Sequence, residues 1–184
     1  MRIILPSLDE LQIDDPVRIK LKLEELGIYG IIVFQTGGVP IITRNFSVNK
    51  KNTFFMENSE LLSGFLYALD SYCNFLETYL TDTGLGHVRI AVKRDYPGKT
   101  VCLFFSELIN RRQSGEETAM FVELMFHPII KLFKNLESAE NLELVDLYSW
   151  FKKTENINRL DAIVYHSALT AYHSLDFPLP IEFL

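Results

Sequence analysis

The chain has 184 residues, 48% of them apolar and 12% aromatic, which is material for one packed domain with additions rather than two full domains. Its formal net charge of −6 is evenly spread: residues 1–92 carry 8 basic and 11 acidic side chains, and residues 93–184 carry 10 and 13. This balance excludes a concentrated basic surface for nucleic acid, and the apolar content excludes disorder and low complexity.

The opening MRIILPSLDELQ is too short, and too soon interrupted by Pro6 and Asp9, to be a signal peptide. No uninterrupted apolar run approaches the roughly 20 residues needed to cross a bilayer. A soluble, cytoplasmic chain with no integral membrane segment is expected. Residues 1–27 read as an N-terminal extension, helix or strand. Within it, DDPVRIKLKLEELG has Asp15 as an N-cap, Pro16 at the first helical position and Gly27 past the end, all helix signals. Yet Val17, Ile19, Leu21 and Leu23 alternate with Arg18, Lys20 and Lys22, which is strand periodicity. Helix is favoured and strand stays open.

In IYGIIVFQTGGVPIITRNFS, from Ile28 to Ser47, Gly37 and Gly38 sit between two apolar runs. A phosphate-binding loop needs a helix after its glycines, because the helix N-terminus supplies the N–H donors. Here β-branched residues and Pro40 follow, so the stretch reads as a hairpin whose glycines supply positive φ. Pro40 marks the second strand as an edge.

ENSELLSGFLYALDSYCNFLETYLTDTG carries the strongest helix pattern, over 58–81, with Asn58 or Ser59 as cap and Gly84 as stop. Leu61, Leu62, Phe65, Leu66, Leu69, Tyr72, Cys73, Leu76 and Leu80 form one apolar stripe at 3.6 spacing, expected to cover a sheet. The other side holds Ser63, Gly64, Tyr67, Ala68 and Ser71 where a solvated face normally carries Lys and Glu. Those five residues are the candidate contact surface for another polypeptide element, either a partner or the chain's own C-terminal helices.

HVRIAVKRDYPGKTVCLFF reads as a second hairpin, turning at Pro97-Gly98, with TVCLFF as a central covered strand. In SGEETAMFVELMF, Ser114 and Glu117 make a capping box, but Met120, Val122, Leu124 and Phe126 also alternate. Helix or a fifth strand are both open over 117–126. Pro128 is expected to end or kink that element. Helices are expected over roughly Ala139–Lys152 and Asn156–Leu175. FPLPIEFL reads as an extended surface tail.

Chemistry is hard to find. GKT at 98–100 lacks the first glycine of a P-loop, since Lys93 stands in its place, and a strand follows instead of a helix. TGLGH at 83–87 has only two glycines and stands before a strand, the wrong order for a dinucleotide site. His166 and His173 lie about 10 Å apart along a helix, too far to chelate one ion. They read as half-buried polar groups of a helix, and His127, just before Pro128, marks the break in an element rather than a ligand. Cys73 and Cys102, each inside an apolar run, read as buried thiols rather than a disulfide or metal pair. No nucleophile elbow, HExxH or CxxC occurs. No enzyme, cofactor or metal is expected.

The order hairpin, long amphipathic helix, hairpin, then C-terminal helices resembles the longin and roadblock family of small α/β domains, profilin-like in layout. The likeness covers residues 28 to about 126 and is carried by IYGIIVFQTGGVPIITRNFS, LLSGFLYALDSYCNFL and HVRIAVKRDYPGKTVCLFF. It implies an α+β fold in which an antiparallel sheet of two hairpins is split by one crossing helix. A further strand of the second half is expected to follow Phe105 closely; here it is either the 117–126 segment or missing. The expected division is 28–135 as the domain and 136–184 as a C-terminal helical extension packed on it. The resemblance also implies a non-catalytic scaffold or regulator, dimeric or hetero-complexed. Its expected partner is a small GTPase, a trafficking protein or a related subunit. The alternatives are a PAS-like ligand-sensing domain, which usually has several short helices after its first hairpin, and a small enzyme without a recognisable motif.

Overall fold

The computed structural model describes residues 15–49, 57–78, 80–96, 98–112, 115–140 and 148–177. The first element is helix α1, Pro16–Glu25, with the Asp15 carboxylate accepting from the Val17 N–H at 3.0 Å. Ile19 and Leu23, four residues apart, are buried, whereas Val17 and Leu21 are exposed. The helix signals therefore outweigh the alternation, because only helical spacing puts a consistent set of side chains against the core. Gly27, at φ +74, closes the helix in the left-handed conformation.

Strands β1 (Ile28–Gln35) and β2 (Pro40–Asn45) form the expected hairpin, with Gly37 and Gly38 at φ +94 and +78 in its turn. Helix α2 (Ser59–Phe75) follows, then β3 (Asp82–Leu85), β4 (Val88–Tyr96) and β5 (Lys99–Ser106). These five strands make one antiparallel sheet in the order β2-β1-β5-β4-β3. Pro40 does lie on an edge strand. β5 lies at the centre and is buried along its whole length, as its unbroken apolar run predicts.

The fifth strand is a correction to the sequence reading. It is β3, which precedes the second hairpin, and not 117–126 after it. DTGL is four residues long, contains a glycine and is only half covered, so it has no strand pattern to detect. Residues 117–126 belong instead to helix α4 (Gly115–Glu140), which follows the short α3 (Glu107–Arg112). Phe121, Met125, Ile129 and Phe133 are buried at four-residue spacing, while Met120 is exposed. The helix does not end at Pro128, although proline leaves the Leu124 carbonyl without its usual donor. It also runs through the boundary expected at 135. The capping residue Ser114, the turn residue Pro97 and the middle half of the helix expected over 139–152, residues 141–147, lie outside the described residues.

Helix α5 (Thr154–Ser174) packs between α1 and α4. These helices cover one face of the sheet and α2 covers the other, giving two clusters of buried residues on either side of the strands. On the three-helix side an aromatic group locks α5 in place. Phe121 meets Tyr172 edge-on at 5.8 Å and stacks on Phe177 at 5.8 Å. The Tyr172 hydroxyl donates to the Leu26 carbonyl at 2.6 Å. Phe177 is thus part of the core and not of a surface tail, while residues 178–184 lie outside the described residues.

One ion pair ties edge strand β2 to α5. The Arg44 guanidinium grips Asp161 through Nε, at 2.8 Å, and through Nη2. Asp161 is fully buried, so this fork is its replacement for water. Asp161→Ala should destabilise the protein by roughly 3–5 kcal/mol, because Arg44 is left facing an apolar gap. The double substitution Arg44→Met with Asp161→Leu should recover most of that loss in urea unfolding, since both charges then leave together.

Candidate functional site

Helix α2 is the sole helix against its face of the sheet among the described residues, and it has two different apolar sides. The inward side carries Leu62 and Leu66, which join Ile32, Phe34, Ile90 and Phe104 in the second buried cluster. Two polar anchors hold it there. Ser63 is fully buried and its hydroxyl donates to the Gly38 carbonyl at 2.6 Å. Further along, the nearly buried Asp70 pairs with Arg94 of β4, leaving Asp70 Oδ1 without a partner among the described atoms. Burial lowers the pKa of the Arg94 guanidinium, and the neighbouring Tyr67 pulls it back up.

The two glycines of QTGGVP can now be given their tasks. A Cβ on Gly38 would stand 2.9 Å from Gly64 Cα and 3.1 Å from the Ser63 carbonyl, so the turn backbone lies directly on α2. Gly37 meets nothing and serves only the turn's positive φ. The neighbouring turn joins in, with the Thr36 N–H donating to the Gly98 carbonyl at 3.0 Å.

The helix stops earlier than Gly84. Glu77 takes the left-handed conformation at φ +56, its N–H bonding the Asn74 carbonyl while the Thr78 N–H bonds that of Cys73. This is a Schellman closure with glutamate in the place glycine usually fills, so the sequence shows no stop there.

The outward side is the unusual one. Of the apolar stripe expected to cover the sheet, only part does so. Leu61 is 79% exposed and Phe75 82%, and Phe65, Tyr72 and Leu76 are each more than half exposed. With Ala68 these recur at spacings of four and three, so they form a single solvent-facing stripe from 61 to 76. The stripe read as continuous is therefore two faces: Leu62 and Leu66 turn inward, Leu69 is half-buried, and Leu61, Phe65, Tyr72 and Leu76 turn outward. Large apolar side chains contiguous in solvent mark an interaction surface, whereas single ones need no explanation.

The five residues singled out from the sequence divide between these faces. Ser63 is taken up by the hairpin turn, and Tyr67 is half-buried beside Arg94. Gly64, although its Cα touches the turn, directs its missing side chain into open space. Ala68 and Ser71 are exposed next to Phe65 and Tyr72. Gly64, Ala68 and Ser71 thus border the outward stripe with small side chains, a combination that lets a second backbone come close. The aromatic members of the stripe were legible in the sequence as apolar residues but were assigned to the core.

Among the described residues no group of three or more His, Cys, Asp or Glu side chains is placed to hold a metal ion. His127 and His173 are exposed, and His166 is half-buried against the Tyr165 ring at 5.7 Å.

The chain matches no family model and no curated protein. Among solved structures it is similar to the gliding protein MglB from Thermus thermophilus, at 14% identity and a TM-score of 0.35. That similarity covers 52% of this chain and 76% of the other.

Two measurements check the placement of α2. Gly38→Ala should cost roughly 1–3 kcal/mol in chemical denaturation, since it combines positive φ with a backbone clash. Gly64→Ala should be neutral or stabilise by up to about 1 kcal/mol, because the new methyl enters solvent and improves the helix. Thiol labelling should separate the cysteines. Cys73 is half-buried on α2, which departs from the expected burial, and should react in the native protein. Cys102 is fully buried, with its thiol pKa pushed well above the ordinary range, and should react only after unfolding.

Proposed function

We propose that this chain is a non-catalytic protein–protein interaction module that docks another polypeptide on the outward face of α2. The observation that carries the reading is the exposed stripe of Leu61, Phe65, Tyr72, Phe75 and Leu76 on a helix already anchored by its opposite side. A face so built has no reason to be apolar for the sake of this chain's own core. Aromatic residues dominate it, as they do the energetic centres of protein interfaces.

The finer reading is a longin or roadblock-type subunit, a scaffold or regulator in a small-GTPase or trafficking system, working in the cytoplasm as a dimer or a hetero-complex. What supports it is the order of elements: a hairpin, a helix crossing the sheet, antiparallel strands, then C-terminal helices. Function does not follow from fold, so the GTPase assignment rests on resemblance. A PAS-like sensor fits less well, because among the described residues one 17-residue helix covers the sheet face where that fold usually has several short ones.

The test compares the intact chain with Leu61→Asp and Phe75→Asp in affinity capture from the native host. Both positions are exposed, so stability should stay within about 0.5 kcal/mol of the parent. The reading expects a protein that co-purifies with the parent, is lost from both variants, and rebinds the parent when purified. Recovery of the same proteins by parent and variants would overturn it. Identification of the captured protein as a GTPase or a trafficking component decides the finer reading.

A further inference from the structure

The charge around α2 says what kind of polypeptide fits it. From Asn52 to Val88 the chain has no lysine or arginine at all, while Glu57, Glu60, Asp70, Glu77 and Asp82 fall inside that stretch. Glu57 and Glu60 are exposed at the start of the stripe and Glu77 is exposed at its end. Between them, residues 61–76 hold one charged side chain, Asp70, and it is turned inward. Arg94, the basic group that reaches α2 from the sheet, is occupied by Asp70. The docking face is therefore an uncharged apolar centre with an acidic group at each end.

We infer that the occupant is an amphipathic helix of a different protein, one that carries Lys or Arg at the borders of its own apolar stripe. The inference rests on the docking face proposed above. A helix suits the site because the stripe is straight, follows one helix ridge for about 22 Å and is bordered by Gly64, Ala68 and Ser71, which admit a close backbone. Such grooves are read by side chains at i, i+3, i+4 and i+7 of the incoming helix. A second copy of this chain suits it poorly. Laid antiparallel, its α2 would set Glu57 and Glu60 against Glu77; laid parallel, it would set each glutamate against its own counterpart. Either arrangement brings like charges together, and α2 has no basic residue to offset them. A partner with basic borders meets acid at both ends, and the chain's net charge of −6 steers it inward.

The test uses two synthetic amphipathic peptides with the same Leu and Phe stripe, one bordered by Lys and the other by Glu. Fluorescence anisotropy measures each against the full chain at low and high salt. The Lys-bordered peptide should bind about tenfold more tightly, the sum expected of three exposed charge contacts. The preference should shrink in high salt as screening shortens to a few ångströms, about 3 Å at 1 M. Replacing Glu57→Lys, Glu60→Lys and Glu77→Lys together should reverse it, and Phe75→Asp should weaken both peptides. Equal affinities that are still lost in Phe75→Asp would overturn the charge inference and leave the docking reading intact. So would a dimer, seen by light scattering, that dissociates in Phe75→Asp. Failure of both peptides to bind would also overturn the inference, while the capture experiment separately decides the docking reading. Binding to mixed phosphatidylcholine–phosphatidylserine vesicles, abolished by Phe75→Asp, would overturn both.

Discussion

Burial of the sheet on both of its faces is the constraint from which the rest of the architecture follows. β5 has no exposed position, and β1 beside it is covered from both sides, with Ile31 and Val33 facing one cluster and Ile32 and Phe34 the other. A sheet of this kind cannot hold together with helices on one side alone, because each uncovered apolar face would stay in water. The chain meets the demand unequally. Among the described residues three helices, α1, α4 and α5, cover one face, and α2 covers the other.

That inequality gives α2 its character. A lone helix on a sheet face can bury only the third or so of its surface that turns inward. For most such helices the remaining surface is charged. Here the polar anchors lie inward instead, with Ser63 bonded to the hairpin turn and Asp70 to Arg94, while the apolar residues Leu61, Phe65 and Phe75 lie outward. Anchoring by a hydrogen bond and an ion pair fixes the helix in position and orientation. A rigid, preplaced apolar face loses little conformational freedom when something binds to it.

The polar ties elsewhere serve the opposite face. Arg44–Asp161 joins residues 117 positions apart and pins an edge strand beneath α5. Tyr172 joins the same helix to the end of α1 across 146 positions. Both are long-range and both replace water around groups that are buried, so they help set the position of α5. Together with the Phe121, Tyr172 and Phe177 rings, they make that side of the protein a closed core, in contrast to the open face of α2.

Local signals in the sequence determined most of the elements. Gly37-Gly38 between apolar runs specified the first hairpin, the unbroken TVCLFF specified a central strand, and 3.6 spacing specified α2 and α5. Each of these is legible because turn chemistry and periodicity act within a few residues. What the tertiary structure alone decided was which of several locally possible faces is covered. α2 carries apolar residues around most of its circumference, so its sequence names both Leu66 and Phe65 as core candidates. Contact with Gly38 and Arg94, far away in the chain, turned one inward and the other out. The same holds for 117–126, where alternation and helical spacing coexist until the sheet and α5 select Phe121 and Met125. β3 and the stop at Glu77 had no local signal, since a four-residue edge strand follows its neighbour's hydrogen bonds and a left-handed glutamate follows the closure around it. Pattern along a chain reports spacing, but burial is a relation between distant segments, and only the assembled fold supplies the second partner.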